Sequence, residues 1–258
     1  MKYALITGAS KGIGKAFAEC LAAQQHALLL VARSESLLQQ LALSLSEQYK
    51  VTVHYLAIDL SANDAPLTIY NWCQQNNYQV NILINNAGYG LSGATEKYTL
   101  QQHMENMQVN MQAPTQLTYL FLSMLKKNRS YILNVCSTAS YQAVPGLTIY
   151  AATKAYLLRF SRALGYELKN TSVTVTAVCP GATDTDFAGR ANVTGKRAQK
   201  LAARLNMRPE SVAAIALKGM FAGKKEIVPG WVNRVGKFFV WLLPESVSEK
   251  SAAKIYDL

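Results

Sequence analysis

The sequence predicts an α/β fold in which a doubly wound parallel sheet of about seven strands carries helices on both faces. Short apolar runs alternate along the chain with longer stretches of helical periodicity. Most of these runs are apolar at nearly every position, as expected for parallel strands buried on both faces. The 258 residues, half of them hydrophobic and 16% charged, suit one domain, 1–258, with a substantial core.

The predicted strands and helices follow one another in a regular order. The strands are residues 3–6, 27–32, 51–58, 80–84, 131–136, 173–179 and 225–229. The helices are residues 12–25, 35–45, 66–75, 100–126, 150–169 and 209–221, with Ser34 as the N-cap of the second. Such βαβ units have right-handed crossovers.

The pattern changes after residue 182, so we divide the single domain there into a core, 1–182, and an extension, 183–258. Residues 183–208 are small, polar and basic and predict a helical flap. Residues 231–243 form an aromatic segment that Pro244 ends.

The net charge of +11 is unevenly distributed. Residues 190–258 hold 13 Lys and Arg against 5 Asp and Glu, a net charge of +8. Such a surface attracts nucleic acid, membranes or anionic substrates, or is simply solvated. Because no nucleic-acid motif accompanies the charge, we predict no nucleic-acid partner.

The cysteines and histidines predict neither disulfides nor a metal site. The four cysteines lie far apart without a CxxC pair, as expected for free thiols in a reducing cytoplasm. The three histidines lack metal-ligand spacing. We find no signal peptide and no run of about 18 to 20 apolar residues, so the predicted location is cytoplasmic.

The segment after the first predicted strand reads TGASKGIG over residues 7–14. Glycines there allow a tight turn and close approach to a ligand, and the following helix offers N–H groups to phosphate. The spacing is GxxxGxG instead of GxGxxG, but the strand–loop–helix context of a dinucleotide site is present. The predicted cofactor-binding residues of this loop are Gly8, Ser10, Lys11, Gly12, Ile13 and Gly14.

Arg33 directly follows the second predicted strand. Sites for NAD usually carry an acidic residue at this point to hold the ribose 2′-hydroxyl, whereas arginine suits the 2′-phosphate of NADP. Lys11 adds a second cation. The sequence therefore favours NADP(H) over NAD(H).

Two further strand ends carry residues that suit a cofactor. Asp59, followed by Leu60, ends the third predicted strand and either accepts from the adenine amino group or caps the next helix. Asn86, Ala87 and Gly88 follow the fourth strand. Their amide and small side chains suit either a backbone pressed against a cofactor or a turn.

Tyr150 and Lys154 are four residues apart, with Ser137 thirteen residues before the tyrosine. On a helix, positions i and i+4 share a face. A nearby cation favours the phenolate and lowers the pKa of a tyrosine from its reference of about 10. Ser137, at a strand end, could hold a substrate oxygen beside the phenol. Any helix can carry this pair, so the acid–base interpretation depends on the cofactor end.

These ordered motifs resemble the short-chain dehydrogenase/reductase family over about residues 1–185. The likeness is carried by residues 7–14, Asp59, residues 86–88, Asn110, Ser137, Tyr150-x-x-x-Lys154 and Pro180-Gly181. The resemblance implies a single-domain Rossmann fold and an oxidoreductase that transfers a hydride between NADP(H) and a carbonyl or alcohol substrate.

The resemblance also implies a role for each catalytic residue. Tyr150 is the general acid in carbonyl reduction and the base in alcohol oxidation. Lys154 lowers the pKa of that tyrosine and binds the nicotinamide ribose, while Ser137 hydrogen-bonds the substrate carbonyl. Asn110 would hold a water that links Lys154 to solvent.

Further expectations from the family concern the cofactor pocket and the assembly. Pro180 and Gly181 would shape the nicotinamide pocket, and Thr183, Thr185 or both would bind the carboxamide. Family members commonly form dimers or tetramers through the two helices predicted here near 100–126 and 148–170. We therefore expect a homodimer or a homotetramer.

The substrate side is less well specified. In this family the segment after the sixth strand covers the substrate, which here corresponds to residues 188–208. Its basic side chains suit an anionic substrate, such as a CoA or carrier-protein thioester, or are a solvated helix face. They are Arg190, Lys196, Arg197, Lys200 and Arg204.

The C-terminal aromatic segment resembles hydroxysteroid and long-chain 3-oxoacyl reductases more than acyl-carrier-protein ketoreductases. Large apolar residues cover much of its helical circumference, with Arg234 and Lys237 between them. Such a helix buries in a subunit contact, roofs a lipophilic pocket or lies on a membrane as a peripheral contact. The sequence favours the first of these alternatives.

Three functions remain open from the sequence. The leading one is a carbonyl reductase or alcohol dehydrogenase that uses NADP(H), and the second is a 3-oxoacyl-thioester reductase. The third is a sensor or scaffold that binds NADP(H) without turnover. Such proteins often lose the tyrosine or lysine, which this chain keeps.

Overall fold

The computed structural model describes residues 1–191, 195, 197 and 206–255. Within them, a seven-stranded parallel sheet has the order β3-β2-β1-β4-β5-β6-β7. The strands are β1 Lys2–Thr7, β2 Ala27–Ala32, β3 Val53–Ala57, β4 Gln79–Asn85, β5 Ser130–Val135, β6 Val173–Val178 and β7 Glu226–Ile227. The strand order reverses between β1 and β4, which confirms the predicted doubly wound Rossmann fold.

Helices follow the strands and cover both faces of the sheet. They are α1 Gly12–Ala23, α2 Glu35–Tyr49, α3 Ala65–Gln75, α4 Leu100–Met107, α5 Ala113–Lys126, α6 Thr148–Glu167, α7 Phe187–Arg190, α8 Pro209–Phe221, α9 Trp231–Leu242 and α10 Glu245–Ile255. Residues Thr95–Lys97 and Thr138–Tyr141 form 3₁₀ turns.

The two faces of the sheet form separate apolar cores because successive strand residues point to opposite sides. In β1, Ala4 and Ile6 pack with α1, α2 and α8, while Tyr3 and Leu5 pack with α3, α5 and part of α6. Phe17 and Phe121 are among the largest fully buried side chains, one in each core. These cores fix the strand ends at which the site forms.

The predicted helix over residues 100–126 is wrong in one respect. Residues Gln108–Gln112 form a π turn between α4 and α5, so the segment is two α-helices joined by a wider turn. Such turns are rare and frequently occur at functional sites.

Other boundaries also differ from the prediction. Ser34 lies at the N-cap of α2 but makes no side-chain capping hydrogen bond. The third strand is shorter than predicted, the last strand has two residues, and α6 begins at Thr148. The helix α10 was not predicted, because its sequence is polar and only Ser248 and Ala252 are buried.

All four cysteines are free thiols, and Cys73, Cys136 and Cys179 are buried. Among the helices described, none is long and apolar enough to cross a bilayer.

Candidate active site

Most of the predicted site residues meet in one cleft of about 860 Å³ at the carboxyl edge of the sheet. Those lining it are Gly8, Ser10, Lys11, Gly12, Ile13, Arg33, Asp59, Leu60, Asn86, Ala87, Gly88, Ser137, Tyr150, Lys154, Pro180, Gly181, Thr183 and Thr185. Gly14 and Asn110 are not in the lining and lie directly behind Gly8 and Gly88. The cleft therefore brings together motifs that are up to 177 residues apart in the sequence.

The glycine turn requires glycine at two positions, because a side chain at either one would strain the backbone. Gly8 has φ +66°, a left-handed conformation, and a Cβ on Gly14 would lie 2.2 Å from the Gly8 carbonyl oxygen. Lys11, the N-cap of α1, makes no side-chain capping bond, so the N–H groups of the first turn can face an anion. This cradle fits the diphosphate of a dinucleotide.

Asn86 and the following residue clamp the glycine turn to the sheet. Asn86 Nδ2 donates to the Thr7 and Gly8 carbonyl oxygens at 2.9 and 3.2 Å. Thr7 Oγ1 accepts from the N–H groups of Asn86 and Ala87 at 3.0 and 3.1 Å. These bonds hold the segment against the glycine turn as part of the cleft wall.

The two cations expected at the 2′-phosphate are both in exposed ion pairs. Arg33 lies 3.6 Å from Asp59, and Lys11 lies 2.9 Å from Asp186. Asp59 Oδ1 also accepts from the Ser61 N–H at 3.0 Å. It does not cap α3, whose N-cap is residue 64, so that alternative is wrong.

Lys154 is a buried cation on the same helical face as Tyr150. Its side chain is 3% exposed, and Nζ donates to the Val135 carbonyl oxygen at 2.8 Å. The ammonium lies 5.8 Å from the centre of the Tyr150 ring. None of the ion pairs in the described residues involves Lys154. Its positive field therefore acts on the phenol without a neutralising carboxylate.

Burial lowers the pKa of Lys154, because the charged amine has lost its water. The nearby thiols of Cys136 and Cys179 act in the opposite direction on that pKa. A buried cation without a carboxylate partner is unfavourable for folding, and such groups concentrate at functional sites.

Ser137 lies just after β5, with its hydroxyl on the cleft. Ser137 Oγ accepts from the Ala139 N–H at 3.1 Å. That bond occupies one lone pair of the hydroxyl, so its hydrogen is available to donate to a substrate oxygen.

Asn110 lies in the π turn and is fully buried. Its Nδ2 donates to Tyr89 O, Asn106 Oδ1 and Thr153 Oγ1 at 3.0 to 3.3 Å, and its Oδ1 accepts from the Tyr89 N–H at 3.1 Å. The side chain thus connects α6 to the loop after β4. The water that the family resemblance places on Asn110 stays a prediction.

Pro180, Gly181 and the two threonines lie in an irregular segment beside the glycine loop. Thr183 Oγ1 donates to Gly181 O at 3.1 Å, and Thr185 Oγ1 accepts from the Phe187 N–H at 3.3 Å. The Phe187 ring packs 5.2 Å from that of Tyr150. The sequence offered no signal for this aromatic contact.

A polar cluster beside the cleft was also missed. Glu226 of β7 accepts from Tyr141 Oη at 2.8 Å and from Arg162 at 3.2 Å, and it forms an ion pair with Lys237 of α9. Burial alone would raise the pKa of Glu226, but hydrogen bonds from Lys237 and Tyr141 lower it overall. Glu226 follows two lysines in the sequence, which suggested only a charged surface.

The basic flap lies mostly outside the described residues. Lys196, Lys200, Arg204 and the side chain of Arg190 fall there. Arg197 is described, and its guanidinium donates to the Lys254 carbonyl oxygen of α10 at 3.4 Å.

The inner face of α9 lines the cleft, as the pocket-roof alternative expected. Its lining residues are Val232, Asn233, Gly236, Lys237 and Val240.

Comparisons with known proteins agree with this arrangement. Residues 2–196 match the family described as short chain dehydrogenase. A short-chain dehydrogenase from Sphingobium yanoikuyae, solved in complex with NADPH, is 30% identical, with a TM-score of 0.82 and 92% of each chain covered.

Two curated relatives match over a large part of the chain. Hydroxysteroid dehydrogenase-like protein 1 of Gallus gallus is 33% identical, covering 76% of this chain and 60% of its own. Very-long-chain 3-oxoacyl-CoA reductase-A of Danio rerio is 35% identical, covering 69% of this chain and 57% of its own. The matches therefore span less than two thirds of these relatives' lengths. The family match, the sheet order and the ordered motifs show that this chain belongs to the short-chain dehydrogenase/reductase family of oxidoreductases.

Proposed function

We propose that this chain is an NADP(H)-dependent oxidoreductase that interconverts a carbonyl and an alcohol, with Tyr150 as the general acid and base. The observation that carries the proposal is the buried ammonium of Lys154, 5.8 Å from the Tyr150 ring and outside every ion pair of the described residues. A fixed cation at this position stabilises the phenolate that forms when the tyrosine gives up its proton.

Three residues of the chain, Ser137, Tyr150 and Lys154, have separate roles in this reaction. The nicotinamide, when bound, supplies or accepts the hydride. Ser137 donates a hydrogen bond to the substrate oxygen, while Tyr150 Oη protonates that oxygen in reduction and removes its proton in oxidation. The Val135 carbonyl holds the Lys154 ammonium in place at 2.8 Å, so little reorganisation accompanies proton transfer.

Several features of the adenosine end support a preference for NADP(H). Arg33 and Lys11 both line the cleft, and both ion pairs are solvent-exposed. Exposed pairs contribute only about 0–1 kcal/mol, so a phosphate dianion can displace the carboxylates. The NADPH complex of the Sphingobium protein is consistent with this preference.

The walls of the cleft support a lipophilic substrate. They carry a group of apolar side chains from four segments of the chain. These are Val144, Leu147, Phe187, Val232, Val240 and Ile255. An apolar chain or ring system would remove this surface from water.

Reduction of a 3-oxoacyl thioester is the second candidate. The similarity to a very-long-chain 3-oxoacyl-CoA reductase favours it, as do the apolar walls and the basic C-terminal third. A 3-oxoacyl group would present its ketone to Ser137 and Tyr150 and its chain to these walls.

The chain is also proposed to form a homodimer or homotetramer through the helices α4, α5 and α6. Leu100, Met104, Tyr119, Tyr156 and Tyr166 are exposed on these helices. Large apolar groups on the exposed sides of these three helices suit a subunit contact.

The test begins with a panel of ketones, aldehydes and acetoacetyl-CoA, followed by the loss of NADPH absorbance. With the best substrate, we expect Tyr150→Phe to lower kcat by about 10² to 10⁴-fold, because it removes general acid catalysis. The Kd for NADPH should change little.

Tyr156→Phe is the matched control. Tyr156 lies on the same helix, and its hydroxyl meets Thr115 Oγ1 at 3.1 Å, outside the cleft. Its kcat should equal that of the wild type. NADPH binding with no turnover of any substrate would favour the sensor or scaffold, and full activity of Tyr150→Phe would contradict the assigned role.

A further inference from the structure

The helix α9 presents its polar residues to the protein and its aromatic residues to solvent. Asn233 Nδ2 donates to a backbone carbonyl of the preceding loop at 2.7 Å, and Arg234 Nε donates to another at 3.0 Å. Lys237 forms its ion pair with Glu226. A surface helix of a water-soluble domain normally has the opposite orientation. Three polar anchors therefore fix α9 with its apolar side facing outwards.

The exposed side of α9 is apolar and rich in aromatic side chains. Trp231 and Trp241, near the two ends of the helix, are 74% and 76% exposed. The Phe238 ring lies 5.9 and 6.0 Å from those of Phe239 and Trp241. We call this surface the outer face of α9, and it comprises Trp231, Val235, Phe238, Phe239, Trp241 and Leu242.

The spacing of these residues makes a single stripe. Trp231, Val235, Phe238 and Leu242 are at positions i, i+4, i+7 and i+11, so they lie on one line along the helix. None of the six is charged, and exposed apolar patches of this kind mark interaction sites. The described residues leave the stripe open.

Two candidate partners for the outer face of α9 are a second copy of the chain and an anionic bilayer. The charge of the neighbouring chain distinguishes between them. Residues 190–258 have a net charge of +8, and in the segments that flank α9 in the sequence the exposed lysines, Lys224, Lys225, Lys250 and Lys254, outnumber the exposed carboxylate Glu245. A second copy brought to this side would carry the same positive charge and be repelled. An anionic bilayer has the complementary charge and attracts basic residues near its surface.

We propose that the outer face of α9 docks on an anionic lipid bilayer, with the helix parallel to the membrane plane. Tryptophan and phenylalanine are the side chains that favour the boundary between headgroups and acyl chains. The 12 residues of α9 are too few to span a bilayer but enough to lie on one. Because the inner face of the same helix lines the cleft, the docked protein holds its cleft one helix diameter from the lipid.

The test uses the full chain and vesicles of phosphatidylcholine with or without phosphatidylglycerol, in a flotation assay. We expect the wild type to float with the anionic vesicles, with binding at least about tenfold weaker to the neutral ones. Two of the three tryptophans lie on α9, so their fluorescence should shift to the blue and be quenched by brominated lipid.

The variant Trp231→Ser/Trp241→Ser should reduce vesicle binding by at least about tenfold. Neither residue lines the cleft, and both are exposed, so thermal melting and NADPH binding should match the wild type. Leu43→Ser/Leu67→Ser is the control, because it removes two large apolar residues outside α9 and outside the proposed subunit contact, 57% and 50% exposed. It should float as the wild type does.

Three results would overturn the proposal. The first is a wild-type chain that does not float with anionic vesicles, and the second is a Trp231→Ser/Trp241→Ser variant that floats equally well. The third is self-association without lipid that this variant abolishes, since the outer face of α9 would then be a subunit contact. None of these depends on enzymatic turnover, so the docking and the proposed function can fail separately.

Discussion

Replacing Gly14 by alanine tests whether the glycine turn supports cofactor binding. The added Cβ would lie 2.2 Å from the Gly8 carbonyl oxygen and 2.5 Å from Asn86 Nδ2. An ordinary contact begins near 3.4 Å, and the carbonyl belongs to backbone with φ +66° that has little freedom to move. Gly8 must therefore shift by about 1 Å, and such overpacking destabilises a fold by about 1–3 kcal/mol.

The shift would displace the backbone that faces the dinucleotide. A displacement of about 1 Å can reduce activity about 10²-fold, and we expect a similar loss in NADPH affinity. Isothermal titration measures the NADPH Kd, and thermal unfolding without cofactor measures the loss of stability.

Gly165→Ala is the control for this substitution. Gly165 also lies in a helix, α6, but its added Cβ would meet Val175 at an ordinary 3.5 Å. Its NADPH Kd should be unchanged, and its stability should stay within about 1 kcal/mol of the wild type. If Gly14→Ala binds NADPH and melts as the wild type does, the assigned role of the turn is refuted.

Two further predictions concern charged residues. Arg33→Ala should raise the KM for NADPH about tenfold and leave that for NADH unchanged, because a charge-assisted bond to the 2′-phosphate is lost; equal changes for both cofactors would contradict the preference. Glu226→Gln should lower the free energy of unfolding at pH 7 by about 1–3 kcal/mol, since the group is hydrogen-bonded and largely buried. Because the folded-state pKa of Glu226 is lowered, its stabilisation is present above 4.5, the ordinary value, and is lost as pH falls through the folded-state pKa. Thermal melts should therefore show the two proteins converging at acid pH, and a constant difference down to pH 2 would be the contrary result.

The sheet was predictable because most of its strands are buried and have correspondingly apolar sequences. In β2, all six residues are buried, and the run ALLLVA contains no polar residue. The position of the cleft was predictable from the same strands, because motifs at the carboxyl ends of parallel strands must meet at one edge of the sheet. That is why Arg33, Asn86 and Tyr150 share a cleft despite their separation in sequence.

The details that could not be predicted depend on contacts between distant residues. Ser34 has the residue type of an N-cap, but its side chain makes no capping bond. Glu226 meets Tyr141, Arg162 and Lys237 only after folding, so no local pattern marks it. The sequence correctly predicted that residues 231–243 are apolar and helical. It could not show which side of the helix faces the protein, because that orientation depends on the ion pair with Glu226.

The π turn at residues 108–112 positions side chains of the site but makes the helix less stable than a regular α-helix would be. A π turn contains one residue more than an α-helical turn, so deleting one residue there would restore a regular α-helix and close the wide turn that contains Asn110. Asn106 and Asn110 would then no longer both reach the Tyr89 carbonyl. A substitution or deletion chosen for helix propensity alone would favour the regular helix and break this contact. Attempts to stabilise the protein should therefore leave this segment unchanged, because activity and stability make opposite demands on it.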